Sequence, residues 1–369
     1  MANNFLTPSI IAQEALMQLE NNLVLGNMVN KSYSSEFRKV GDTVTVRKPI
    51  TFSVDEFSSS INLQNINESG VPVKMDKLLD ISFPIDTKDI TLSISNFSER
   101  YITPAMQAFA QDIDSRLAKL ALDIPYFAGT AGTTPNSVSA ITSVRKVMND
   151  NKVPMADRKL VFDTAADAKL LELDTFNRVD ASGTSDALVN ATLGRKFGFD
   201  CFMDQNVVTV KNTDLVATSP KLATQASEGD TTITLTDTTL TGTIHKGTLF
   251  TVAGSEPQFV VTKDATAAGN NVTVEIYPAL STDISQNSAV TIVADHAANI
   301  AFHKNAFSLV SVPLERPMGT NNCANVSYNG MGLRVTYGYD ITKKQDIISI
   351  DGLFGFTTLT PELACVLLG

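Results

Sequence analysis

The chain has 369 residues, 43% apolar and only 18% charged, a composition of folded globular proteins that excludes a disordered chain and leaves room for two or three compact units. A formal net charge of −10 argues against binding nucleic acid through bulk charge, since each phosphate contact needs a Lys or Arg to displace counterions. The apolar runs fall well short of the roughly 20 residues of a membrane helix, and residues 1–25 lack the features of a signal peptide, so the expected setting is a cytosol and no membrane is implied.

Residues 1–42 open with an apolar-periodic stretch from Ile10 to Leu25 and continue into a polar run to Lys39, which reads as an arm with no second apolar face to complete a core. Val44 and Val46 alternate with Thr43, Thr45 and Arg47, and Leu79, Ile81, Phe83 and Ile85 alternate with Asp80, Ser82 and Pro84, the period of two expected of strands. Between them, residues 50–77 carry three consecutive Ser, several Asn and Gly70, and read as the tip of a long β-hairpin spanning residues 43–90.

The period then changes. Ile102, Met106, Phe109, Ile113, Leu117, Leu120 and Ile124 form one apolar stripe, which predicts a helix of about six turns over residues 104–124 with Thr103 as N-cap and Pro104 in the first turn. A second amphipathic helix follows from Val138 to Met148, and residues 91–158 are grouped as a spine helix with a peripheral domain. Residues 159–206 alternate strand, helix and strand as in a mixed α/β unit.

Residues 207–295 differ in composition. Between Thr213 and Asp295 there are 18 Thr, nine acidic residues and three Lys, and no Arg occurs between Arg195 and Arg316. Short alternating runs separated by Gly, Asn and Asp predict an inserted all-β barrel or sandwich. Residues 296–369 return to core chemistry, with strands at 333–339 and 346–350 forming a hairpin. The fold class is therefore α+β, with a core interrupted in sequence by an insertion.

Few residues invite a catalytic reading. Cys201, Cys323 and Cys365 are far apart without a CxxC pair and read as reduced small hydrophobes. His296 and His303, seven residues apart and near Asp295, would share a face on a helix, but no HExxH, GxSxG, GxxxxGK[ST] or GxGxxG pattern is present. No catalytic residue, cofactor or metal is expected. A hydrolase using His303 or Asp295 and a sugar-binding role for the Thr-rich insert are the competing readings.

The order of arm, extended loop, long helix, α/β unit, β insertion and closing strands resembles the Hong Kong 97-type major capsid protein of tailed bacteriophages. The residues that carry the resemblance are the loop 42–86, the helix 104–124 and the segment Leu193-Gly194-Arg195-Lys196-Phe197-Gly198-Phe199-Asp200. Residues 301–307, Tyr337-Gly338-Tyr339-Asp340 and Asp351-Gly352-Leu353-Phe354-Gly355 complete it. The layout is similar to coat proteins of short-tailed phages that carry an inserted β-domain. The resemblance implies a non-enzymatic subunit that forms pentamers and hexamers of an icosahedral virion shell around double-stranded DNA, assembled in the host bacterial cytoplasm. It also implies a portal protein and, because only about 40 residues precede the loop, a separate scaffolding protein as partners. A bacterial encapsulin-like compartment shares the fold and is the alternative.

In such a shell the arm and hairpin would be covered by a neighbouring copy, and charge would set register. The candidate contact residues are Arg47, Lys48, Lys74 and Lys77 with Asp55, Glu56 and Glu68 on the loop, facing Glu99, Arg100, Asp112, Asp114, Arg116 and Lys119 along the helix of the next subunit. The alternative for each is a solvated surface charge.

Overall fold

The computed structural model describes residues 7–33, 43–47, 70–85, 97–183, 186–212, 214–255, 258–317, 322–340, 342 and 345–369. In chain order it contains α1 (Pro8–Asn22), β1 (Thr43–Arg47), β2 (Gly70–Lys74), β3 (Lys77–Ile85), α2 (Thr103–Ala118), β4 (Phe127–Ala128), α3 (Val138–Asp150), β5 (Arg158–Phe162) and α4 (Thr164–Leu171). Three short helices, Asp174–Asn177, Val179–Ser182 and Asp186–Asn190, lead to β6 (Gly194–Lys196), β7 (Phe199–Met203) and β8 (Thr209–Val210). Then come β9 (Lys221–Leu222), β10 (Thr232–Thr236), β11 (Thr243–Ile244), β12 (Leu249–Val252), β13 (Phe259–Val261), β14 (Ala265–Thr266), β15 (Asn271–Tyr277) and β16 (Val290–Ile292). The last strands are β17 (His296–His303), β18 (Phe307–Val312), β19 (Cys323–Tyr328), β20 (Met331–Asp340), β21 (Gln345–Thr358) and β22 (Ala364–Leu368).

The chain divides into two compact units. The first comprises residues 1–23, 29–110 and 307–360; the second comprises 24–28, 111–306 and 361–369.

The first unit is built on a five-stranded antiparallel sheet in which the 14-residue β21 pairs with β20, β18 and β3. This corrects two sequence expectations. The alternating strand at residues 77–85 does not close a hairpin with β1; it runs along β21 from Ile85↔Asp346 to Lys77↔Phe354. β1 pairs instead with β2, from Thr43↔Lys74 to Arg47↔Gly70. The physical reason is the partner on offer: one face of β3 is half-buried (Leu79, Ile81, Phe83) or buried (Ile85), and β21 supplies a nine-residue ladder beneath a core that no two-stranded ribbon could provide. The tip of the expected hairpin, residues 48–69, lies outside the described residues.

The arm also has a face to cover. Helix α1 buries Ile11, Ala12, Ala15, Leu16 and Leu19 and packs on β19 and β20 of its own unit, where the side chain of Asn329 donates to Glu20 at 2.8 Å. The i, i+4, i+5, i+8 spacing is an amphipathic stripe, and the hairpin of β19 and β20 is the second apolar surface that the sequence reading did not assign to it.

Helix α2 starts earlier than expected. A π turn over Ser98–Ile102 leads into it, Thr103 is helical rather than a cap, and its N–H reaches back to the Ser98 carbonyl. Pro104 explains the wide turn, since a proline ring clashes with the carbonyl four residues back in a regular α-helix. Among the stripe residues Ile102, Met106, Phe109, Ile113, Leu117 and Ile124 are buried, and Leu120 is half-buried.

The second unit contains a mixed sheet in the order β4-β22-β17-β5-β7-β6, with β8 added at the start of β17. α3 and α4 cover one face through Ile141, Val144, Met148, Ala166 and Leu170, packed with Leu160, Phe162, Phe199, Ala301 and Leu367. The Asp163 carboxylate caps α4 by accepting from the N–H groups of Ala165 and Ala166.

The same unit holds the Thr-rich segment, folded as a six-stranded sheet in the order β16-β12-β13-β15-β10-β9 with β11 and β14 paired beside it. Its two outermost strands meet: Lys221 bridges Ala289, and the Val290 N–H donates to the Pro220 carbonyl at 3.0 Å. Inside lie Ile233, Leu235, Phe250, Phe259, Val272, Val274 and Ile276, with Phe250 and Phe259 stacked at 5.6 Å between centroids. Thr234 and Thr273 face outward as a cross-strand pair, 3.1 Å apart, as do Thr243 and Thr266, which suits a β-branched residue with a polar tip on a solvated sheet face.

Candidate assembly surfaces

The candidate contact charges do not form one described patch. Lys48, Asp55, Glu56 and Glu68 lie outside the described residues, and Arg47 is placed only as the last residue of β1, opposite Gly70. Lys74 and Lys77 flank Asp76 of their own chain, at 3.8 and 3.4 Å, with all three side chains open to solvent. Exposed pairs of this kind contribute about 0–1 kcal/mol, so both lysines stay available to another partner. Glu99 and Arg100 project from the π turn into solvent. Arg116 pairs along α2 with Asp112 at 2.7 Å.

Asp114 is not a surface charge. It is 2% exposed, and its two carboxylate oxygens accept the N–H groups of Val24 at 2.8 Å and Gly26 at 2.9 Å. Burial pushes its carboxyl up to about 6, against the pull of those backbone donors and with help from the charge of Asp204. The sequence carried a signal for this: Asp114 lies between Ile113 and Leu117, inside the apolar stripe.

Sequence reasoning also missed an ion pair in the five-stranded sheet. Arg334 of β20 grips Asp351 of β21 with two nitrogens, Nε at 2.9 Å from Oδ1, while Nη1 donates to the Glu315 carbonyl at 2.7 Å. Both side chains are less than a fifth exposed, and the bidentate bond to Asp351 raises the guanidinium pKa above its ordinary value. The two residues sit opposite each other in register, a pairing that no local pattern announces.

Within the second unit, the β-sheet of residues 221–292 is tied to strand β4 and its surroundings by polar contacts from three of its residues, among those described. Gln258 accepts the Phe127 N–H at 2.7 Å and donates to the Phe127 carbonyl at 3.0 Å, Lys246 pairs with Asp123 at 2.7 Å, and Tyr277 donates to Glu362. Burial raises the Tyr277 phenol far above its ordinary pKa, as does the hydrogen bond to Glu362. The two histidines that would share a face on a helix are separated by geometry: His296 and His303 lie at the two ends of β17, an odd number of residues apart, so they face opposite sides of the sheet. His296 is 2% exposed with Nδ1 on the Ala294 carbonyl and Nε2 buried without a partner, and burial lowers its pKa. Among the described residues no group of three or more His, Cys, Asp or Glu is placed to hold a metal ion. Burial likewise pushes the Cys201 thiol up to about 12.

No family model matches the sequence, and no curated protein is significantly similar to it. Solved structures do resemble it. A chain from a structure of Mycobacterium phage Che8 superposes with a TM-score of 0.53 at 16% identity, covering 93% of this chain and 90% of its own. A chain from a capsid structure of the cyanophage P-SCSP1u has a TM-score of 0.44 at 12% identity, covering 90% and 84%. One from the mature capsid of bacteriophage PhiM1 has a TM-score of 0.44 at 11% identity, covering 89% and 81%. At these identities the first likeness establishes fold, and this chain shares that fold with a bacteriophage chain over nearly its whole length.

Proposed function

We propose that this chain is the repeating shell subunit of a tailed bacteriophage, assembling as pentamers and hexamers into an icosahedral capsid around double-stranded DNA. The observation that carries the reading is the fold shared with the Mycobacterium phage Che8 chain across nine-tenths of both molecules. It is supported by a net charge of −10, which suits enclosing DNA without gripping it. In this reading residues 1–42 are the arm, 43–90 the extended loop, 91–158 the spine and peripheral domain, and 159–206 with 296–369 the axial and closing parts. Residues 207–295 are the inserted β-domain, a barrel or sandwich. A separate scaffolding protein and a portal protein are its assembly partners, and the host cytoplasm is its site of assembly.

Because α1 and β3 are already covered by their own unit, the contacts between copies fall to the region around the β1 and β2 ladder and to exposed charges. Lys74 and Lys77 are exposed and Glu99 is their counterpart of opposite sign, while Arg100 would meet the acidic residues of the loop. The test is negative-stain microscopy of the full chain, expressed alone and with a candidate scaffolding protein. Closed particles of uniform diameter are the expected result, and a monomer under every condition refutes the reading. The double variant K74E/K77E is expected to keep the circular dichroism of the parent and fail to close shells; normal shells reject the proposed pairing.

A further inference from the structure

Residues 24–28 belong to the second unit although the residues on both sides of them belong to the first, and a buried carboxylate binds their backbone. The turn at Leu25–Asn27 is one 3-10 turn with no side-chain cap of its own. Its leading N–H groups would be orphaned without a partner. Asp114 of α2 supplies that partner from 88 to 90 positions away, taking Val24 on Oδ2 and Gly26 on Oδ1, with Leu25 adding to the cradle.

What surrounds this carboxylate is unusual for a charged group. The turn offers no cation: Val24, Leu25, Gly26, Asn27 and Met28 are uncharged. On its own helix the residues three and four positions on are Leu117 and Ala118, both buried, while Arg116 is taken by Asp112. The charged group that bears on Asp114 is a second carboxylate, Asp204, just beyond β7. Asp204 is 4% exposed; its Oδ1 accepts the backbone and side-chain N–H groups of Asn206 at 2.8 and 2.9 Å, and its Oδ2 is buried with no hydrogen-bond partner. A buried carboxylate with no cation beside it among the described residues, held by three peptide dipoles next to a like charge, is a site poised to bind a proton.

We propose that Asp114 is a proton-operated latch for the 24–28 segment, tuned by Asp204. The sign follows from linkage. With the turn closed the carboxyl titrates at about 6, and with the turn open to water it returns to its ordinary 3.8. The closed state therefore binds the proton more tightly, so acid holds the turn shut and rising pH through about 6 loosens it. Between about pH 5 and about pH 7.5 the ratio of closed to open turn falls about tenfold, from the tenfold-per-pKa-unit relation. Asp204 sets the midpoint, because its charge adds to the cost of ionising Asp114.

The test is hydrogen exchange of the Val24, Leu25 and Gly26 amides in the full-length chain as a function of pH, corrected for intrinsic exchange, beside carbon-13 titration of the Asp114 carboxyl. Protection should fall about tenfold over that range and level off at the carboxyl's own titration midpoint. In D204N the midpoint should move to lower pH, and in D114N these amides should lose their pH dependence while amides of β5 and β17 keep theirs. Protection that does not change with pH in the parent chain overturns the proposal without any variant having to fold. So does a D204N protein whose Asp114 midpoint has not moved.

Discussion

Replacing Gln258 with Leu should weaken the second unit out of proportion to the size of the change. The side-chain amide of Gln258 pairs with both polar groups of one peptide on β4, as a neighbouring strand would, with an N–H to oxygen distance of 2.7 Å and a nitrogen to carbonyl distance of 3.0 Å. β4 is a two-residue edge strand whose other side is already paired, in parallel, with β22. Leu is close in volume but leaves the Phe127 N–H and carbonyl unpaired at a part-buried position. At about 1–3 kcal/mol for each unsatisfied group, reduced by partial access of water, the cost is about 2–4 kcal/mol. Equilibrium unfolding in urea reads it directly, and a second consequence should appear on refolding: an uncovered strand edge raises the yield of aggregate. A loss below about 0.5 kcal/mol with clean refolding would mean that the amide is not acting as the missing strand, and the account of how the sheet of residues 221–292 is tied down would be wrong.

Other consequences are as specific. R334L should cost about 3–5 kcal/mol, because it strands Asp351 in the sheet with Asp80 nearby, and the double variant R334L/D351L should recover much of that loss in urea unfolding. F259A should cost about 3–5 kcal/mol, read as a lowered unfolding midpoint, since Phe259 is fully buried and stacked on Phe250. For His296 burial lowers the folded pKa, so its contribution to stability is present above the ordinary value of 6.5 and is lost as pH falls below it. H296N, which can still donate to the Ala294 carbonyl, should therefore lose less stability than the parent chain when unfolding is followed from about pH 7 down to about pH 5.

Much of this architecture was legible from periodicity. The stripe from Ile102 to Ile124, the alternation in residues 79–85 and the Thr-rich runs each match an observed helix or strand, because burial on one face imposes a period. What periodicity does not specify is the partner. Residues 77–85 had the right pattern for a strand and the wrong expected neighbour, since β21 lies some 265 residues later and the choice was decided by the length of ladder and core it offered. The arm failed in the same way: α1 needed the hairpin of β19 and β20, about 310 residues away, to complete its apolar face. Charges were the least legible. Asp114, Asp112 and Arg116 look alike on a list of helix residues, and only the turn at 24–28 separates a cradled carboxylate from an exposed ion pair. The Pro104 start was misjudged because a proline preceded by a suitable cap is the commoner arrangement, and the π turn that replaced it leaves no mark in composition.

Strand β22 has a bearing on how the molecule is made. It lies between β4 and β17, five buried residues among the last six of the sequence, and the backbone of Gly369 bonds to Ala297 and Gly132. A ribosome adding residues from the amino end leaves a strand-wide gap beside β17 until Leu368 has emerged. Among the described residues, the strands between residues 221 and 292 pair with one another, so this sheet can be finished earlier. At about 5–20 residues per second, some 75 residues of synthesis separate the two events by several seconds. For that interval a nascent chain carries a completed Thr-rich sheet beside an open one, the stage at which a chaperone would find most to bind.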